Sequence, residues 1–118
     1  MGRIDKWIGF DFDGTLAKDI DPTGTFSTNL GPPVQSMVDL AKQYINDGFE
    51  VKIFTARAEH IDQISVLEKW CETHLGKKLE ITNKKDHKMS ILFDDRAIAV
   101  KKNEGICLGF RNQKTFES

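Results

Sequence analysis

The sequence predicts an α/β protein built on a three-layer, doubly wound, mostly parallel sheet, in a single domain spanning residues 1–118. Three observations carry that expectation. Short apolar runs of strand length alternate with stretches whose apolar residues recur at helical spacing, the order that gives parallel strands and crossover helices. A chain of 118 residues is long enough for one hydrophobic core and too short for two. No internal repeat, low-complexity segment or linker interrupts it.

Residues 6–12, KWIGFDF, form an apolar run that stops at the turn Asp13-Gly14-Thr15. This reads as a short buried strand delivering side chains at its C-terminal end. Residues 17–32, rich in Gly, Pro, Thr and Asp, read as a loop. Pro32 and Pro33 suit the first turn of a helix on which Val34, Met37, Val38, Ala41, Tyr44 and Ile45 recur, and Asn46-Asp47-Gly48 closes it. Residues 49–54, FEVKIF, predict a second strand ending at Thr55. A second helix follows roughly from Glu59 to Leu75, with Ile61, Ile64, Leu67, Cys71 and Leu75 on one face and Gly76 as its stop. Residues 79–82, LEIT, and 90–93, SILF, predict two more strands, the latter ending at Asp94-Asp95. A short helix around Ala97 to Lys102 and a last strand within ICLGF, residues 106–110, complete the chain.

Composition narrows the function classes. Hydrophobic residues make up 39% and charged residues 30%, a balance ordinary for a globular domain. Seventeen basic against eighteen acidic side chains leave a net charge of -1, which argues against a broad electrostatic grip on long nucleic acids or an anionic membrane. The N-terminal stretch has no long apolar run and no other segment is long enough to span a bilayer, so neither a secretory signal nor a membrane span is expected and the expected location is cytoplasmic. Lys6 stands where an N-terminal lipidation motif beginning at Gly2 needs Ser or Thr. Cys71 and Cys107 have no metal-ligand spacing and read as small buried apolar residues. Trp7 and Trp70 read as packing residues, and His60, His74 and His87 as surface residues too scattered for a metal site.

The chemistry gathers at strand ends. In sheets of this kind ligands bind outside the C-terminal strand ends, where neighbouring connections diverge. The first strand ends in Asp11-Phe12-Asp13, the second in Thr55 and the fourth in Asp94-Asp95. Four carboxylates in one crevice repel one another, and a divalent cation relieves that repulsion. An all-oxygen ligand set of Asp11, Asp13, Asp94 and Asp95 suits Mg2+. Lys84, Lys85 and Lys88, ahead of the fourth strand, offer a further positive charge.

In an extended segment residues i and i+2 share a face, so Asp11 and Asp13 can address one substrate, one as nucleophile and the other as general acid and then base. Gly14 permits a sharp turn, and backbone N–H groups over Phe12, Gly14 and Thr15 are placed to face a phosphate. Thr55 offers a hydroxyl to a phosphoryl oxygen, with Ala56 beside it. Arg57 either reaches a substrate or is an exposed surface arginine. Each feature has a plainer reading: a solvated acidic turn, a strand-end threonine, a helix-capping acid pair, a solvated lysine loop.

The runs DFDGTL (11–16), IFTAR (53–57) and FDDRA (93–97), with lysines ahead of the last, resemble in order the four motifs of the haloacid dehalogenase superfamily, over the chain from Trp7 to Gly109. That resemblance implies a magnesium-dependent phosphatase with a Rossmann-like core. Asp11 would attack phosphorus and form an aspartyl-phosphate. Asp13 would protonate the leaving oxygen and then deprotonate the attacking water. Thr55 and a lysine would hold phosphoryl oxygens. Asp11, the carbonyl of Asp13 and Asp94 would bind Mg2+, with Asp95 bound directly or through water. Lys85 is favoured for the lysine because it immediately precedes the approach to the fourth strand, with Lys84 and Lys88 left open.

Neither gap between motifs has room for the superfamily's usual cap domain, which implies a capless member with the loop from Lys18 to Gly31 as its only local flap. Open sites in this superfamily serve bulky or macromolecular substrates, or belong to oligomers whose neighbour acts as lid. The implied partner is thus a small phosphorylated substrate or a phosphorylated macromolecule, with a homo-oligomer left open. Response-regulator receiver domains also combine an acid cluster with Mg2+, Thr and Lys, but there the accepting Asp lies mid-chain and the Lys comes last. A catalytically idle magnesium- and phosphate-binding module is the other alternative.

Overall fold

The computed structural model describes residues 5–21, 23 and 27–109. Four strands form a parallel sheet: β1 (Trp7–Phe10), β2 (Glu50–Phe54), β3 (Glu80–Thr82) and β4 (Met89–Phe93), in the order β3-β2-β1-β4. Helix α1 (Gln35–Asn46) joins β1 to β2, and a 3-10 turn (Ala56–Glu59) followed by α2 (Ile61–Leu75) joins β2 to β3. The class is thus α/β with a parallel sheet flanked by helices. No helix is long and apolar enough to cross a membrane among the described residues.

Side chains alternate along a strand, so Ile8 and Phe10 of β1 share a sheet face, as do Val51 and Ile53 of β2. They join one core cluster with Val38 and Ala41 of α1 and Leu67, Cys71 and Leu75 of α2. Both helices therefore pack on the same face, because two right-handed crossovers step in one direction from β1 to β2 to β3. The expected helices on both faces are not found among the described residues. The reason is the β3–β4 connection, residues 83–88, which carries the chain past β2 and β1 with no helix.

On the opposite face Trp7, 1% exposed, lies against Gly9, where an added Cβ would come within 3.0 Å of the indole. The Lys52 ammonium stands 4.6 Å from the Trp7 ring centroid. The Trp7 indole N–H donates to Asp86 at 2.8 Å, fixing the connection to the N-terminal end of β1. That bond and the Lys88 backbone N–H hold the Asp86 carboxyl below its ordinary range.

Several local expectations change. Pro33 bridges Ala17 and stays outside α1, whose N-cap is Val34. Gly48 and Gly76 take the left-handed φ expected after the two helices. Ile61 is 89% exposed, and Gln63 and Trp70 occupy the buried face of α2 instead. The short helix expected around 97–102 is replaced by an antiparallel pair, β5 (Ala99–Val100) with β6 (Cys107–Leu108). Left-handed φ values at Asn103 (67°) and Gly105 (69°) turn the chain there, so turn chemistry overrides helical pattern. Cys107, expected to be buried, is exposed in this hairpin, and Phe110 lies outside the described residues. Cys71 is buried as expected, which pushes its thiol up to about 12.

Phe12, placed by its sequence position at the substrate, is fully buried, with its ring edge-to-face on Trp70 at 4.9 Å. Burial of both rings makes it a packing residue through its side chain. Phe12→Ala is expected to cost about 3–5 kcal/mol. Urea unfolding should show a lower midpoint with an unchanged slope; a loss under about 1 kcal/mol would contradict this packing role.

Candidate active site

Backbone pairing builds the site. β1 and β4 run in register through Phe10 and Phe93, and the Asp11 N–H donates to the Phe93 carbonyl at 2.8 Å, so Asp11 and Asp94 leave adjacent strands side by side. On the other side of β1, the Thr55 N–H donates to the Thr82 carbonyl at 2.9 Å and carries β2 to the same end. After Asp11 the chain turns tightly: Thr15 and Ala17 donate to the Phe12 carbonyl at 3.1 and 3.0 Å, and Gly14 donates to the Ala17 carbonyl at 2.8 Å. Gly14 has φ +89°, and a Cβ there would sit 2.8 Å from the Asp95 carboxylate. Only glycine allows both that backbone and that approach.

Carboxylate oxygens of Asp11, Asp94 and Asp95 lie within 4.8 Å of one another. The Thr15 hydroxyl stands 3.2 Å from Asp95 Oδ1 and 3.5 Å from Asp11 Oδ2, and accepts the Asp95 N–H at 3.2 Å. Asp94 accepts the Arg96 N–H at 2.8 Å, which turns the chain after the acid pair. Burial first, then the hydrogen bond shared with Asp95 and the charge of Asp94, push the Asp11 carboxyl from 3.8 up to about 7. Three carboxylates this close form an oxygen-only donor set whose mutual repulsion a hard divalent cation relieves, so their chemistry fits Mg2+.

A cavity of about 480 Å³ opens over these strand ends. Asp11, Asp13 and Asp94 line it with Thr55 and Ala56, as the sequence suggests. The walls also include Asp19 and Asp21 of the loop after β1, Phe54, Glu59, Asn83 and Arg96, none of which the sequence singles out as a site residue. The polar loop and the arginine after the acid pair were the visible signals, and neither has a periodicity that fixes direction. Thr55 is 5% exposed and its hydroxyl oxygen accepts the Arg57 N–H at 3.2 Å, which leaves its proton to donate.

Other expected positions are placed differently. Lys84, Lys85 and Lys88 are exposed, and none lines the cavity. The connection runs from the C-terminal end of β3, where the Lys84 N–H donates to Thr82 Oγ1 at 3.0 Å, to the N-terminal end of β4, where the Asp86–Trp7 bond anchors it, and Asn83 is its residue on the cavity wall. The N–H groups of Gly14 and Thr15 are spent inside their turn and do not face the cavity. The Thr15 hydroxyl serves the acid cluster.

Arg57 is neither a cavity-lining nor a surface residue: it is 0% exposed, and its guanidinium grips Asp13 through Nε at 2.7 Å and Nη2 at 2.9 Å. The Asp13 carboxylate thus stands apart from the three-carboxylate group, although Asp13 lines the same cavity. His74 is half-buried with its ring tilted against Trp70, centroids 4.4 Å apart, whereas His60 and His87 are exposed.

No family model and no curated protein matches this chain. A solved structure of a conserved protein from Bacteroides thetaiotaomicron is similar in fold, with TM-score 0.58 and 20% identity over 76% of this chain and 75% of the other. At that identity the likeness concerns the fold.

The raised Asp11 carboxyl links stability to pH. Between 3.8 and about 7 the folded chain holds a proton on Asp11 that the unfolded chain has released, so stability falls as pH rises across that window. In metal-free protein the melting temperature is expected to fall from pH 4 toward pH 7 more steeply than in Asp11→Asn, and millimolar Mg2+ should restore it at pH 7. Equal slopes in the two proteins, or no response to Mg2+, would count against the crowded site.

Proposed function

We propose that the chain is a magnesium-dependent phosphomonoester hydrolase of the haloacid dehalogenase superfamily, with a Rossmann-like core and an aspartyl-phosphate intermediate on Asp11. The single observation that carries this reading is the meeting of Asp11, Asp94 and Asp95 at adjacent strand ends, with Asp13 and Thr55 on the same cavity wall. Phosphoryl transfer asks chiefly for positioning and charge neutralisation. Asp11, Asp94 and the backbone carbonyl of Asp13, with Asp95 directly or through water, would hold Mg2+, which supplies positive charge for the transferring phosphoryl oxygens when bound.

A carboxylate oxygen of Asp11 attacks phosphorus as the bond to the leaving oxygen breaks, and Asp13 gives that oxygen its proton. Water then attacks the aspartyl-phosphate, Asp13 takes back a proton, and the bond between phosphorus and Asp11 breaks to release phosphate. Thr55 donates its hydroxyl to a phosphoryl oxygen. Dividing one slow hydrolysis into two displacements lowers each barrier. Arg96, the cavity-lining cation, takes the place expected for a lysine. A small phosphorylated substrate or a phosphorylated macromolecule remains the proposed partner, and the cytoplasm the proposed location. The lysines' absence from the wall favours one second reading, a magnesium- and phosphate-binding module without turnover.

Assay of phosphomonoesters with and without Mg2+ separates the two. Asp11→Asn should abolish turnover and lose labelling by beryllium trifluoride, and Asp13→Asn should slow each half-reaction by about 10²–10⁴-fold. A folded Asp11→Asn protein that turned over at the parent rate would sink the covalent mechanism. For the cation, Arg96→Ala should lower kcat/KM by about 10–100-fold, the worth of a charge-assisted hydrogen bond, while Lys85→Ala changes it little. The reverse ranking would return the role to Lys85.

A further inference from the structure

Arg57 is fully buried, and the contacts of its guanidinium join one carboxylate of the site to the core and to the loop after β1. Its Nε and Nη2 grip the two oxygens of Asp13 at 2.7 and 2.9 Å. Its Nη1 donates to the Gln63 side-chain oxygen at 2.7 Å and to the Ser27 carbonyl at 3.0 Å, and Nη2 stands 3.9 Å from Asp21. Gln63 is itself fully buried on α2, so the guanidinium plane is set by a helix packed into the core. Its backbone is set too, since the Arg57 N–H is bonded to Thr55 Oγ1.

A planar fork on both carboxylate oxygens fixes the plane of that carboxylate. An ionised carboxylate has about four lone-pair directions, and the fork uses two. The remaining ones belong to a group on the cavity wall. From this geometry we infer that Arg57 is the positioning residue for Asp13, aiming the outer side of its carboxyl group, which carries the proton in the first step and a lone pair in the second, at the oxygen that departs from phosphorus and then at the incoming water. Arg57 keeps its own proton throughout; the proton moves only between Asp13 and those two oxygens. Through Ser27 and Asp21 the same guanidinium ties the loop after β1 to the general acid.

The inference rests on the hydrolase reading, and the two fail separately. A parent protein with no magnesium-dependent phosphatase activity removes both. With an active parent, a double-mutant cycle tests Arg57 alone. Arg57→Lys keeps the charge and loses the fork. It is expected to lower kcat/KM by about 10²-fold for alkyl phosphates, whose leaving oxygen needs a proton, and by less than about 10-fold for nitrophenyl phosphate, whose leaving group needs none, with KM little changed. In an Asp13→Asn background the same substitution should change neither. Equal losses in both backgrounds, or a loss carried by KM, would overturn the proposal in favour of a structural or substrate-binding arginine.

Gln63→Met provides the same comparison with the arginine retained, should Arg57→Lys not fold, and is expected to show a smaller loss of the same pattern. A third measurement is independent of turnover. The Arg57 Nε–H resonance should be shielded from exchange in the parent and move in Asp13→Asn; a resonance unchanged by Asp13→Asn would also overturn it.

Discussion

Crowding of like charge at the ends of β1 and β4 is the constraint around which the rest of the site is organised. Two unit charges 4 Å apart repel by about 4 kcal/mol at the effective dielectric of a protein surface. Oxygens of three carboxylates lie within 4.8 Å here, so the backbone must hold together what the side chains drive apart. It does so through parallel pairing on both sides of β1, including the Asp11 N–H to Phe93 bond at 2.8 Å. The tight turn at Gly14 then brings the Thr15 hydroxyl between Asp11 and Asp95. Burial first, and then the hydrogen bond with Asp95 and the charge of Asp94, raise the Asp11 carboxyl at the centre of this cluster.

Much of this was legible in the sequence because it depends on strand ends. Apolar runs stopping at polar residues locate Asp11, Asp94 and Thr55 without any knowledge of strand order, and parallel strands must end on one side. What was not legible depends on connections. Helices on both faces were expected from alternation alone, but alternation does not say in which direction each crossover steps. The lysines are a related case: sequence proximity to β4 does not fix at which end of the sheet a connecting residue lies, and none of the three lines the cavity. The bond that anchors this connection joins Trp7 to Asp86, 79 positions apart, and no local pattern announces it. The same holds for the hairpin of β5 and β6, where two left-handed residues override a weak helical pattern.

Arg57 shows a different kind of illegibility. An arginine beside a strand-end threonine looks available to solvent or substrate, because arginine is rarely buried unless paired. Its partners are Asp13, 44 positions away, and Gln63, 6 positions on, so its burial is a property of the assembled site. Burying a guanidinium costs several kcal/mol unless its donors find acceptors. Asp13, Gln63 and Ser27 meet that requirement, and no buried side-chain polar atom is left without a partner among the described residues.

The two acids of the DFD run therefore stand in opposite electrostatic surroundings although only one residue separates them. Asp11 is half-buried, shares a hydrogen bond with Asp95 and faces the charge of Asp94, and these in that order disfavour its ionised form. Asp13 faces a buried cation that satisfies both of its oxygens. Distinct environments are what allow two chemically identical groups to take distinct roles. Alternation along an extended strand puts both on one face, but it cannot differentiate them. That difference comes from β4 on one side of Asp11 and from the turn after β2 on the other side of Asp13. Sheet order, more than the DFD run itself, is what makes one acid suited to receive a cation and a phosphoryl group and the other to hold a fixed direction toward the cavity.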